Sequence, residues 1–177
     1  MRLYVIRHGE TKENVNDCLG GRIDSSLTER GIEQANKVKE YFNDKSIDLI
    51  VSSPKSRCKE TANIISDEKI PIIYDKKLLG RDHGSISGVS KNAMPYDDYW
   101  NIKKNIAYQD AETVKALYDR MVSLLDELKE KYGNKNIIIV THSGIIRTMF
   151  YYFHGIPDDG RLSEVEIVNC GIYKYNL

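Results

Sequence analysis

Long apolar runs are missing from this chain of 177 residues. No stretch approaches the roughly 20 apolar residues that a bilayer-spanning helix requires. The N-terminal run Leu3-Tyr4-Val5-Ile6, set between Arg2 and Arg7, is too short for the apolar region of a secretory signal. A soluble cytoplasmic protein with no membrane partner is the expectation. Cysteine is scarce: Cys18, Cys58 and Cys170 are odd in number and lack metal-type spacing, which predicts free thiols. The histidines, His8, His83, His142 and His154, include no HxxxH or HxxEH pair, so a zinc hydrolase has no support and no metal ligands are predicted. A charge surplus is absent too. Lys+Arg and Asp+Glu are 26 each, a net charge of zero, and a general electrostatic grip on nucleic acid is excluded as the leading reading. A local basic pocket remains compatible with that balance.

What is present is ordinary globular composition. Hydrophobic residues are 41% and charged residues 29%, enough apolar chain for one domain with its own core. No repeat or low-complexity linker divides residues 1–177. β-prone runs alternate with helical ones. Arg2 to Ile6, Asp48 to Ser53, Pro71 to Tyr74 and Asn136 to Val140 read as strands, and Val165 to Tyr175 supplies a last strand at an edge. The run Asn-Ile-Ile-Ile-Val at 136–140 suits a strand buried on both faces. Thr28 is the expected N-cap of a helix whose apolar face is Ile32, Ala35, Val38 and Phe42. Lys55 to Ser66 reads as a second helix. Val114, Leu117, Met121, Leu124, Leu125 and Leu128 stripe a third, which ends near Gly133. Ser143 to Phe153 follows the strongest strand directly. The alternation predicts an α/β fold, a three-layer sandwich with a mostly parallel sheet. Residues 81–110 lack periodicity and carry several tyrosines. They are expected to form a cap or lid excursion from the sheet.

Sites in such sheets gather beyond the carboxyl ends of the strands. Three expected strands end in chemistry-bearing residues: Arg7-His8-Gly9-Glu10-Thr11, Ser52-Ser53-Pro54 followed by Arg57, and Thr141-His142-Ser143-Gly144. Two imidazoles and two guanidiniums brought to one edge suit phosphoryl transfer. A neutral imidazole attacks phosphorus and carries a covalent phosphoryl group. Guanidiniums bind phosphate oxygens bidentately and stay charged. A helix opening at Ser143 aims backbone N–H groups at an anion.

These residues also resemble a family. Arg7-His8-Gly9-Glu10-Thr11 with Asn14 is similar to the RHGxTxxN signature of the histidine phosphatase superfamily, the phosphoglycerate-mutase-like proteins. Gly20-Gly21-Arg22-Ile23-Asp24 through Leu27-Thr28-Glu29-Arg30-Gly31 resembles its G-x-x-D-x-x-L-T-E-x-G stretch. Ser52-Ser53-Pro54, Arg57 and Thr61-Ala62 resemble its SSPxxRxxxTA motif. Val140-Thr141-His142-Ser143-Gly144 with Arg147 resembles its second histidine block. In length and motifs the chain is similar to the small phosphatases such as α-ribazole phosphate phosphatase. The resemblance implies a phosphomonoester phosphatase acting on a small phosphorylated substrate, with no cofactor. His8 is then the nucleophile, Arg7 and Arg57 clamp the phosphoryl group, and His142 donates to it. Asn14, Gly20, Gly21, Ser143 and Gly144 bind substrate.

The pattern departs at one position. Gly80-Arg81-Asp82-His83-Gly84-Ser85-Ile86-Ser87-Gly88 resembles the family's E-x-x-x-G-x-x-x-G run, and the glutamate that protonates the leaving oxygen falls on Gly80. General acid help is worth roughly 100- to 10,000-fold. Asp82 is the nearest acidic replacement and His83 a weaker one. Lys103 and Lys104 read as a solvated face, and His154 as a helix-end residue. Three alternatives stay open: a phosphoglycerate mutase, although the mutases the chain resembles are longer, and, prompted by Gly80, a protein phosphohistidine phosphatase or a phospho-ligand-binding protein with little catalysis. Oligomeric state is not encoded in any of these motifs.

Overall fold

β-branched runs build the sheet and amphipathic runs cover it. The computed structural model describes residues 1–21 and 23–177; Arg22, within the Gly20–Gly31 motif, lies outside the described residues. The strands are β1 (Arg2–Arg7), β2 (Leu49–Ser52), β3 (Ile72–Tyr74), β4 (Asn136–Thr141) and β5 (Ile172–Asn176). Their order is β3-β2-β4-β1-β5. β4 lies parallel between β1 and β2, and β3 extends the parallel set. β5 alone is antiparallel, on the outer edge of β1. The isoleucine run of β4 is buried on both faces, as a central parallel strand requires.

The helices are α1 (Lys12–Val15), α2 (Glu29–Phe42), α3 (Ser56–Ser66), α4 (Tyr96–Tyr99), α5 (Val114–Tyr132) and α6 (Ser143–His154). Because side chains alternate along a strand, each strand feeds two cores. Leu3, Val5, Val51, Ile137 and Ile139 face α5 and α6. Tyr4, Ile6, Ile50, Ile138 and Val140 face α2 and α3. These are the three expected layers. Thr28 caps α2, its hydroxyl accepting from Gly31 N at 3.0 Å, and Thr113 caps α5 in the same way through Ala116 N at 3.2 Å. The α5 stripe is buried as its spacing predicts.

One helix departs from its pattern. Ile32 is 44% exposed, and Gly31 takes the inward position instead. The first turn of α2 abuts the loop after β1 so closely that a Cβ on Gly31 would stand 2.3 Å from Glu10 O. Backbone contact, not apolar periodicity, sets that face.

Residues 81–110 are 3₁₀ turns and short α4, with Tyr99, Trp100 and Asn101 buried against the α5/α6 core. Among the described residues no helix is long and apolar enough to cross a membrane.

Candidate active site

The carboxyl ends of β1, β2 and β4 lie side by side. Arg7 pairs in register with Thr141, so the next residues, His8 and His142, emerge together, their ring centroids 5.2 Å apart. Ser52 pairs with Val140, which sets Ser53 beside the same corner. The cleft above them is lined by Arg7, His8, Asn14, Gly20, Gly21, Arg57, Gly80, His142, Ser143 and Gly144, among others.

His8 is 4% exposed and fixed on both sides. Its Nδ1 lies 2.8 Å from Gly9 O, a carbonyl that can only accept, so the proton sits on Nδ1. Nε2 is left with its lone pair and receives Arg57 Nε at 3.2 Å. Burial, then the Arg57 and Arg7 guanidiniums, hold the imidazole well below its usual titration range, so it is neutral at pH 7.

Arg57 bridges the site: Nη1 donates to Ile23 O at 2.9 Å and Nη2 to His142 Nδ1 at 3.2 Å. His142 Nε2 lies 2.9 Å from Ser53 Oγ. Burial and the neighbouring Arg57 keep His142 neutral as well. Arg7 reaches in from β1 with Nη1 on Ile167 O at 2.7 Å. Asn14 Oδ1 accepts from Thr11 N and from Asn169 Nδ2, at 3.1 and 3.0 Å, which turns its amide nitrogen toward other partners. Gly20 and Gly21 line the cleft, and Gly21, at φ +42°, has no room for a side chain: a Cβ would meet Ser87 Oγ at 2.3 Å. Ser143 and Gly144 open α6, whose first-turn N–H groups have no partner within the helix. A Cβ on Gly144 would stand 3.2 Å from the Trp100 ring.

Much of the surrounding motif is support. Gly9 N donates to Thr61 Oγ1 at 3.0 Å, and Asp24 Oδ1 accepts from Ser56 N at 2.9 Å, capping α3 from a distant loop.

Gly80 lies against His142: a Cβ there would stand 3.2 Å from its Cγ. Asp82 is not among the residues lining the cleft. Its Oδ1 accepts from Gly84 N at 2.9 Å, an Asx turn that leads into Gly84 at φ +52°. Asp82 is thus engaged in its own turn, while Gly80 faces His142. His83 does line the cleft, but its Nδ1 is 2.5 Å from Tyr99 Oη, and burial brings it down to about 4. Lys103 and Lys104 point to Asp158 O and Asp98, away from the cleft.

Glu13 and Lys91 line the cleft without having been singled out in the sequence, and Arg81, Tyr96 and Trp100 line it from the segment expected only as a lid. Arg147, quoted only as part of a motif, lines the cleft too. Its place was readable, four residues beyond Ser143 and so on the same helix face. Arg81 carried no comparable signal. Glu13 is the one carboxylate among the described lining residues. Burial pushes its carboxyl up, but hydrogen bonds, chiefly from Ser25 at 2.5 Å, outweigh burial and hold it below its usual range. It is an anion, not a proton donor, at pH 7.

Two buried neutral imidazoles, with guanidiniums between and beside them at the carboxyl edge of a parallel sheet, define a phosphoryl-handling α/β protein. The comparisons with known proteins agree. The chain matches the histidine phosphatase superfamily (branch 1) over residues 3–177, and it belongs to that family. It is 32% identical to the uncharacterized phosphatase PhoE of Bacillus subtilis (strain 168) over 167 residues, covering 94% of this chain and 83% of that protein. It is 29% identical to the adenosylcobalamin/alpha-ribazole phosphatase of Escherichia coli (strain K12), covering 89% of this chain and 81% of that protein. The solved structure of Bacillus stearothermophilus YhfR superposes with a TM-score of 0.88 at 26% identity, covering 98% of this chain and 89% of that one. The expected fold and the expected family are both correct.

Proposed function

We propose that the protein is a phosphatase that hydrolyses a small phosphorylated substrate through a phosphohistidine on His8. The observation that carries the reading is the state of His8: neutral, with its proton held by Gly9 O and its Nε2 lone pair turned to Arg57. The phosphoryl group takes the position between the imidazoles that Arg57 now spans. Arg7 and Arg57 neutralise its oxygens, and the first-turn N–H groups of α6 with the Asn14 amide complete the cradle.

His142 then changes partner. While Arg57 donates to Nδ1, the ring carries its proton on Nε2. Once Arg57 turns to phosphate, the Ser53 hydroxyl donates to Nε2 and the proton resides on Nδ1, ready for a phosphoryl oxygen. Ser53 is thus a positioning residue. Nε2 of His8 bonds to phosphorus as the bond to the leaving oxygen breaks. Water next attacks phosphorus, the P–N bond returns its electrons to Nε2, and phosphate leaves with the water's oxygen. Guanidiniums supply the charge that metal ions supply in other phosphoryl transfers, so activity is expected to survive a chelator. The wall at 81–110, through Arg81, His83, Tyr96 and Trp100, shapes the space for the leaving group.

The test is phosphate release from 4-nitrophenyl phosphate, with rapid quench in acid-free conditions to trap a phosphoprotein. Turnover that disappears in His8→Ala, together with a trapped adduct on His8, is the expected result. Tight substrate binding without release would instead identify a phospho-ligand-binding protein. Transfer to an acceptor alcohol in place of water would identify a mutase.

A further inference from the structure

The cleft has more positive charge than one phosphoryl group can use, and it has no proton donor where its relatives' motif places a glutamate. Among the described residues its lining cations are Arg7, Arg57, Arg81, Lys91 and Arg147, against the single carboxylate Glu13. Lys91 is paired, with Asp17 at 2.5 Å. Arg81 and Arg147 are 2% and 6% exposed, and among the described residues neither has a carboxylate within salt-bridge distance. Their partners are neutral oxygens: Glu112 O and Tyr99 O for Arg81, Leu162 O and Tyr96 Oη for Arg147. Both stand 5.0 Å from the Trp100 ring. Among the described residues Arg81 Nη2, Arg147 Nε and Trp100 Nε1 have no hydrogen-bond partner. Arg147 has no carboxylate beside it and Arg81 feels only that of Glu112, which is already paired with Arg120, so burying both guanidiniums is costly and an anionic ligand relieves that cost.

Gly80 supplies the second observation. Its backbone sits so near His142 that even a Cβ makes a tight contact, so the missing acid is matched by a closed-up wall rather than by a gap. The acid groups nearest the cleft are no substitute: Glu13 is held ionised and Asp82 is outside the lining.

One substrate chemistry explains both features. We propose that the favoured phosphoryl donor is a phosphoanhydride, a phosphate joined to a second acid, whose leaving group departs as an anion stabilised by Arg81 and Arg147. The inference rests on His8 being the nucleophile. In the step, the His8 Nε2–P bond forms, the bridging P–O bond breaks, and its electron pair stays on the bridging oxygen, now part of a carboxylate or phosphate. No proton is required. Charge stabilisation does the work that protonation does for an alcohol.

The experiment compares kcat/KM for acetyl phosphate, inorganic pyrophosphate, 4-nitrophenyl phosphate, glycerol phosphate and phosphoserine. Either anhydride is expected to exceed both alkyl esters by at least about 100-fold, the lower bound of general-acid help. The two anhydrides separate a carboxylic from a phosphoric partner acid. Arg81→Gln and Arg147→Gln are each expected to lower the anhydride-to-aryl ratio about tenfold, which a folding defect would not change. Phosphoserine cleaved as fast as acetyl phosphate would overturn the proposal, because its second acid is pendant and its leaving group is an alcohol. Alkyl turnover lost in Glu13→Gln would overturn it as well, by identifying an acid. Aryl phosphate turnover that persists in His8→Ala would instead remove the nucleophile on which the proposal rests.

Discussion

At His8 and His142 the chemistry depends on which nitrogen carries the proton, and neighbours that are not themselves reactive decide it. Gly9 O fixes His8; Ser53 and Arg57 share His142. Ser53→Ala removes the hydroxyl that presents the Nδ1 proton. A hydrogen bond of this kind is worth about 1–1.5 kcal/mol, so kcat is expected to fall roughly tenfold in steady-state assays. Ser53→Thr, which keeps the hydroxyl, should restore it. Arg57→Ala removes a charged donor from the transition state and should lower kcat by about 100- to 1,000-fold. Asp82→Asn is expected to leave 4-nitrophenyl phosphate turnover within about twofold, since its carboxylate serves a turn. Because burial and Arg57 keep His8 neutral well below its ordinary range, the acid limb of the rate profile should lie below pH 6.5. A limb near 6.5 or higher would contradict that assignment.

Several residues of the family motifs act between elements rather than in the cleft. Thr28 caps α2, Asp24 caps α3, Thr61 holds the amide of Gly9, and Gly31 lets α2 press against the loop that carries His8. Gly9 and Gly31 form one contact from both sides: a Cβ on Gly9 would stand 2.5 Å from Gly31 O. Gly9→Ala therefore forces the β1–α1 loop and α2 apart. A loss of about 1–3 kcal/mol, the usual cost of overpacking, is expected in urea unfolding, together with a misplaced nucleophile and reduced kcat. These contacts were partly legible. Caps announce themselves by residue type and spacing, as at Thr28. The close approach of Gly31 to Glu10 did not, because it joins segments whose packing no local pattern states. Hence Ile32 was read as core and is exposed.

For the molecule as a whole, buried neutral histidines couple stability to pH. His8, His83 and His142 all titrate below their unfolded value of about 6.5 in the native state, each chiefly through burial, and His83 at about 4. Below pH 6.5 the unfolded chain binds protons that the folded chain refuses, so stability is full above 6.5 and falls as pH drops below it. Each histidine contributes up to about 1.4 kcal/mol per pH unit in that window. Urea midpoints measured from pH 7.5 to 4.5 are expected to be flat above 6.5 and to fall steeply below. Inorganic phosphate should raise the midpoint at neutral pH, since it supplies the anion that the buried guanidiniums lack.

The sequence by itself determined the layers, the apolar face of α5, and the gathering of His8, Arg7, Arg57 and His142 at one edge of the sheet. Strand and helix periods are local, and the site residues sit at strand ends where a parallel sheet must gather them. Only the tertiary structure decided what fills the wall opposite. Arg81, Trp100 and Tyr96 come from a segment without periodicity, Glu13 from the four-residue α1 and Lys91 from a 3₁₀ turn, so their meeting in one cleft with Gly80 depends on long-range packing. That packing also engages Asp82, two residues from Gly80 in sequence, in a turn of its own, because a side chain's direction is set by its turn and not by its distance along the chain.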